Sequence, residues 1–145
     1  EIGFTISHNF LKDFGENIQV QINAYDVSID VDQAIPCGLI INELFSNCLK
    51  HAFHSRDSEN VTRRTRNKVS VEVSSDSDGV LTLSVRDNGV GFPDNVDFRN
   101  TNTLGLQLVC TLTDQLKGTI ELRNRNGTMF NIVFPISTKK SRGSE

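Results

Sequence analysis

Four residues in the stretch INELFSNCLKHAF, residues 41–53, could hold a charged ligand: Glu43, Asn47, Lys50 and His51. Read as a helix at about 100° per residue, they share with His54 one stripe about 80–100° wide. Cys37, Ile41, Leu44, Phe45, Cys48, Leu49, Ala52 and Phe53 lie around the rest of the cylinder, so most of this helix is expected to be buried. An acid, an amide and two bases at the edge of such a helix need partners, because burying them unpaired is costly. One reading is a solvated face with the i, i+4 acid–base pattern common to helices. The other is a strip facing a ligand that holds both a cation and anionic groups. An asparagine carbonyl and a water-linked glutamate suit magnesium, which takes oxygen ligands and keeps several waters. Lys50 and His51, a turn further on, would then meet phosphate oxygens.

Two more segments carry chemistry. Asp87-Asn88-Gly89-Val90-Gly91-Phe92-Pro93 closes an alternating strand. Asn-Gly there is also a hairpin signal, yet no complementary strand follows Pro93, and a second glycine lets the backbone approach something closely. A carboxylate at a strand end only accepts hydrogen bonds, which suits an exocyclic amine such as that of adenine. Thr103-Leu104-Gly105-Leu106 opens a helix, whose free N–H groups and positive dipole end can seat a phosphate. Taken alone, this segment reads as a Thr-capped helix with a tolerated glycine. Thr128 offers a hydroxyl beside the turn Asn126-Gly127, and taken alone it serves the turn.

Periodicity gives the elements that must position these groups. Residues 4–14 place Phe4, Phe10, Leu11 and Phe14 on one side of a short helix that Gly15 would stop. Residues 18–24 alternate as a half-buried strand, and 27–31 repeat the pattern briefly. Asp32 is a plausible N-cap for a helix from Gln33 to His54, with Pro36 in its first turn. Residues 55–68 have almost no apolar content and read as an exposed loop, whose Arg64 and Arg66 could steer a phosphate or a partner but read more simply as a solvated basic loop. Val69–Val73 and Val80–Val85 form a hairpin around Ser74–Gly79. Leu104, Leu108, Leu112 and Leu116 recur every four residues as a helix ending near Gly118. Thr119–Arg123 and Met129–Pro135 make a last hairpin, and the tail from 137 to 145 reads as disordered.

The 145 residues suffice for one domain with a real core. A net charge of −3 argues against a nucleic-acid partner, whose footprint should be basic. Cys37, Cys48 and Cys110 show no metal-ligand spacing, and Cys37 and Cys48, on the apolar side of the key helix, read as small core residues in a reducing compartment. No apolar run reaches the length of a membrane span, and no signal peptide is evident. The chain opens on Glu1 rather than Met, so a piece of a longer protein is expected. A cytoplasmic domain follows, with membrane tethering of the parent left open.

Taken in order, these segments resemble the ATP-binding domain of sensor histidine kinases, in the superfamily shared with gyrase, heat-shock chaperone and mismatch-repair ATPases. The resemblance covers about Ile18 to Pro135. Glu43-x-x-x-Asn47-x-x-Lys50-His51-Ala52 is similar to the family's N box, Asp87-x-Gly89-x-Gly91 to its first glycine box, Thr103–Leu106 to its second, and Gly127-Thr128 to its closing pair. The resemblance implies an α+β, Bergerat-type ATPase fold: a two-layer sandwich with a mixed, mainly antiparallel sheet covered on one face by helices. Residues 1–15 would be a remnant of a connecting helix, 16–136 the ATPase domain and 137–145 a tail. ATP and Mg2+ are the implied cofactors, with ATP under a mobile loop. By the same resemblance Asn47 holds magnesium directly and Glu43 through water, these two being the catalytic pair. Lys50 and His51 contact phosphates, Asp87 takes the adenine amine, and Gly89, Gly91 and Gly105 allow close backbone approach. Thr103, Leu104, Leu106 and Thr128 complete the nucleotide contacts. The second box holds only Gly105, and the loop from Asp94 to Asn102 is short, without a separate phenylalanine box. Both features look like the compact-lid subgroup. No Gly-Lys-Ser/Thr occurs, so this is not a P-loop.

The implied function is transfer of the ATP γ-phosphoryl to a histidine on an upstream dimerisation domain, then to the receiver domain of a response regulator. The parent protein would be a homodimer. Of the three histidines, His51 and His54 lie on the nucleotide helix, and the surroundings of His8 do not suit a phosphoacceptor. The acceptor is therefore expected before residue 1. Two other readings share the boxes: a serine switch kinase of the anti-sigma-factor type, and a non-catalytic nucleotide-binding interaction module.

Overall fold

Apolar residues at every second position dictate strands, and six such runs lie side by side here. The computed structural model describes residues 3–10, 18–25, 27–52 and 67–137. Strands β1 (Gly3–Phe10), β2 (Ile18–Tyr25), β3 (Asn67–Ser75), β4 (Val80–Asp87), β5 (Thr119–Asn124) and β6 (Thr128–Pro135) form one sheet in the order β1-β2-β3-β4-β6-β5. Every neighbouring pair is antiparallel except β2 and β3. A parallel pair needs a long crossover. Helix α1 (Val31–Asn47), which runs on into a π-helical turn at Cys48–Ala52, lies within that crossover. Helix α2 (Leu104–Gln115) joins β4 to the last hairpin. The result is the α+β sandwich with a mixed, mainly antiparallel sheet that the motifs implied.

Register puts the apolar side chains on one face. Leu81 pairs with Phe134, Leu83 with Ile132 and Val85 with Phe130 across β4 and β6, while Val71 faces Val85 across β3 and β4. All of these are buried, and Ile40 and Leu44 of α1 with Val109 and Leu112 of α2 close over them. Each such side chain contributes about 1.5–3 kcal/mol by leaving water. Gln33 ties the start of α1 to the end of β6: its amide donates to the Pro135 carbonyl (2.8 Å) and accepts from the Ser137 N–H (3.0 Å). No described helix is long and apolar enough to cross a membrane.

Four elements depart from the sequence expectation. Gly3–Phe10, placed in a helix by its apolar spacing, is strand β1 paired with β2. Phe4, Ile6, His8 and Phe10 also fit a period of two, and pairing meets the backbone groups that β2 would otherwise leave open. Residues 27–30 form no strand. Helix α1 starts at Val31, because the Asp30 carbonyl accepts from the N–H groups of Gln33 (3.0 Å) and Ala34 (2.8 Å), which puts Pro36 in the second turn. The described residues expected to be covered on this helix are buried or half-buried, while Val31, Ile35 and Leu39 of its first turns are 63%, 60% and 44% exposed on its outer face.

The buried stripe of α2 is Leu106, Val109, Leu112, Thr113 and Leu116, whereas Leu104 is 83% exposed. A strict four-residue repeat turns about 40° beyond a full helical turn at each step, so it walks off the core face. The expected Gln33–His54 helix is described only to Ala52. Residues 11–15, Phe53, His54, the basic loop with Arg64 and Arg66, and the tail from 138 lie outside the described residues.

Leu83→Ala is expected to lower the unfolding free energy by about 2–5 kcal/mol in urea denaturation, because it opens a cavity at a fully buried site. Ile35→Ala, on the exposed side of α1, should change it by less than about 0.5 kcal/mol.

Candidate functional site

Strand parity delivers the central carboxylate. Leu81, Leu83, Val85 and Asp87 occupy successive inward positions of β4, so Asp87 enters the helix–sheet interface as its three apolar predecessors do, at 3% exposure. Its Oδ1 accepts from the N–H of Gly89 (3.0 Å) and of Thr128 (3.2 Å). The Cys48 thiol hydrogen-bonds the same carboxylate. Burial first, and then the charge and hydrogen bond of Asp87, push this thiol far above its ordinary range. A carboxylate fixed in this way presents acceptor capacity to whatever enters beside it.

The turn after β4 is stitched to the end of α1. Val90 donates its N–H to the Ala52 carbonyl (3.0 Å), and a Cβ on Gly89 would lie 2.2 Å from that same oxygen. Only glycine permits this approach. The π-helical turn supplies the Ala52 carbonyl, and such turns re-aim side chains at functional sites. Within this turn His51 lines a cavity, whereas Lys50 lies outside the lining.

Helix α2 begins against the polar strip of α1. A Cβ on Gly105 would sit 2.8 Å from Glu43 Oε2 and 4.0 Å from Asn47 Oδ1, so two side-chain oxygens converge at this helix start. The Thr103 hydroxyl pairs with that of Thr101 (2.8 Å) and makes no cap, leaving the first N–H groups of α2 without a side-chain acceptor from it. An uncapped N-terminus favours an anion.

These parts enclose a cavity of about 380 Å³. Of the residues singled out from sequence, Asn47, His51, Asp87, Gly91, Thr103, Leu106 and Thr128 line it. Glu43, Gly89 and Gly105 lie just behind that lining through the contacts above. Leu104 points to solvent and joins nothing in the cavity. The walls are largely apolar, with Leu44, Val85, Val90, Phe92, Val96 and Phe130, which suits a flat heteroaromatic ring held by a few polar groups.

Sequence reasoning missed several contributors. Cys48 read as a core residue, since only the tertiary fold brings it to Asp87. Phe98 anchors the loop between β4 and α2: it is 6% exposed, stands edge-on to Phe130 at 5.5 Å, and carries the Arg99 guanidinium over its ring at 4.6 Å. Arg99 also donates to the Ile120 carbonyl (2.7 Å), and Asp97 caps the short 3₁₀ turn Phe98–Asn100 through the Arg99 N–H (3.0 Å). The apolar signal of a buried phenylalanine in a polar loop was available.

Comparison with known proteins agrees with this geometry. Residues 32–138 match the family described as "Histidine kinase-, DNA gyrase B-, and HSP90-like ATPase", and the chain belongs to that family. Within it the chain is an ATP-binding domain of the sensor-histidine-kinase type. It is similar to Blue-light-activated histidine kinase 2 of Erythrobacter litoralis, 33% identical over 125 residues, or 86% of this chain and 34% of that protein. It is also similar to the sensor histidine kinase PdtaS of Mycobacterium tuberculosis, at 32% over 110 residues, or 74% of this chain and 20% of that protein. The solved structure of the Erythrobacter litoralis EL346 blue-light activated histidine kinase matches with a TM-score of 0.74 at 30% identity, over 86% of this chain and 37% of that one. The chain thus spans about a third or less of the length of these relatives.

The raised pKa keeps the Cys48 thiol protonated, so it should react with iodoacetamide at pH 8 far more slowly than free cysteine. Mass spectrometry of the labelled peptides checks this, and denaturant should abolish the protection. For stability the sign runs one way. The contribution of this thiol is complete below the ordinary thiol pKa of 9.0 and is lost as pH rises above it toward the raised folded value.

Proposed function

We propose that this domain binds ATP with magnesium and provides the γ-phosphoryl group to a histidine on a dimerisation domain of a longer, homodimeric parent. From there the group would pass to the receiver domain of a response regulator. The observation that carries this reading is a single cavity that joins a fixed carboxylate, apolar and aromatic walls, an amide oxygen and an uncapped helix start. Asp87 would accept from the exocyclic amine of adenine, with Thr128 beside it, and Phe92, Val96 and Leu106 would pack on the base. Thr103 and the first N–H groups of α2 would meet the phosphates with His51, and exposed Lys50 would reach them along its flexible stem.

The donor set fits magnesium. Asn47 Oδ1 and Glu43 Oε2 are hard oxygen ligands brought together at Gly105. When bound, magnesium would neutralise phosphate charge. The protein's own part in phosphoryl transfer is positioning and electrostatics, and the site residues supply both on the donor side. Such a domain would work in the cytoplasm, where ATP is, whether or not the parent is tethered to a membrane.

Calorimetric titration with ATP, with and without magnesium, tests the site. The protein should bind ATP in a magnesium-dependent manner, and Asp87→Asn should abolish binding while leaving the protein folded by circular dichroism. Absence of binding to the wild-type protein would overturn the nucleotide reading.

Gly105→Ala should displace the Glu43 carboxylate, whose flexible arm can yield, and so weaken the magnesium dependence more than it changes the unfolding midpoint. For the transfer step, the full-length parent incubated with γ-labelled ATP should acquire an acid-labile phosphohistidine. An acid-stable phosphoserine on a partner would favour a serine switch kinase instead.

A further inference from the structure

The hairpin of β5 and β6 grips both ends of the loop from Asp87 to Phe92. Asn124 and Thr128 stand opposite each other at the mouth of that hairpin. Thr128 gives its N–H to Asp87 at the start of the loop. Asn124 takes hold of the other end: its Oδ1 accepts from the Phe92 N–H (3.0 Å), and its Nδ2 donates to the Phe92 carbonyl and to Asp94 Oδ1 (3.2 Å). A side-chain carboxamide thus pairs with both backbone groups of one residue, as a neighbouring strand would. Gly91 makes room for it. Its φ is +85°, and a Cβ there would fall 2.5 Å from Asn124 Oδ1.

Asn124 is not itself in the cavity wall, whereas Gly91 and Phe92 are. The Phe92 ring stands edge-on to Phe130 at 6.0 Å, and Phe130 in turn receives Phe98 of the following loop. Fixing the Phe92 backbone therefore sets where the rigid turn after β4 ends and where the loop over the cavity begins. Serine is too short to reach both groups, and aspartate keeps the acceptor but loses the donors.

We propose that Asn124 is a positioning residue for nucleotide binding: through Phe92 it holds the wall against which the base packs and anchors the hinge of the loop that covers the site. This rests on the ATP reading of the cavity, and the experiment separates the two. Dissociation of a fluorescent ATP analogue is followed by stopped flow in the wild-type protein, Asn124→Ala and Asn124→Asp, with amide hydrogen exchange read at Phe92. Dissociation from Asn124→Ala should be about three- to tenfold faster, as expected for losing hydrogen bonds at an exposed site. Asn124→Asp should fall between it and wild type, and Phe92 exchange should accelerate in Asn124→Ala and less in Asn124→Asp, which keeps the acceptor of the Phe92 N–H. Faster Phe92 exchange with unchanged nucleotide dissociation would make Asn124 a loop pin only and overturn the proposal. Wild-type protein that binds no ATP would remove the nucleotide reading and this inference together. Equal binding by wild type and Asn124→Ala would sink this inference alone.

Discussion

The structure depends on one buried carboxylate. Asp87 sits where strand parity would otherwise place another valine or leucine, and a carboxyl group at 3% exposure is tolerable only because donors meet it. Those donors come from separate parts of the chain: the turn after β4, the first residue of β6 and the π-helical turn that ends α1. Each part is thereby obliged to lie close to the others. The satisfaction of Asp87 and the closure of the cavity are the same constraint.

The two glycines behind the cavity show how that closure is reached. Gly89 brings the β4 turn onto the Ala52 carbonyl, and Gly105 brings the start of α2 onto Glu43 and Asn47. A side chain at Gly89 would collide with the Ala52 backbone, whereas one at Gly105 would have to displace the end of the Glu43 side chain. The apolar core underneath, from Ile40 and Leu44 to Leu83 and Ile132, gives these contacts a rigid base. Function thus sits on the rim of a conventional helix-on-sheet core, with the polar groups at the ends of elements.

The aromatic residues add a second layer of order. Phe130 receives two edges, from Phe92 and from Phe98, so the inner end of the loop between β4 and α2 is packed while the rest of that loop stays on the surface. The short loop carries its own anchor in Phe98 and Arg99 in place of a longer cover.

Much of this was legible in the sequence. The alternation in β2, β3, β4 and β6, the polar strip Glu43-Asn47-His51, the double glycine after Asp87 and the glycine opening α2 each follow from local periodicity and side-chain chemistry, which a linear reading contains. Period alone misassigned Gly3–Phe10, since the apolar positions Phe4, Ile6 and Phe10 fit a strand as well as a helix and only pairing with β2 decides between them. On α2 the four-residue repeat found Leu112 and Leu116 on the core face but put Leu104 and Leu108 there too, because such a repeat and the core face diverge along a helix of twelve residues. The contacts of Asp87 with Cys48 and of Phe92 with Asn124 join residues far apart in the chain. Sequence determined which groups could do chemistry. The tertiary fold alone decided which of them meet, because the distance between elements is set by packing and register, not by any property of the segments read singly.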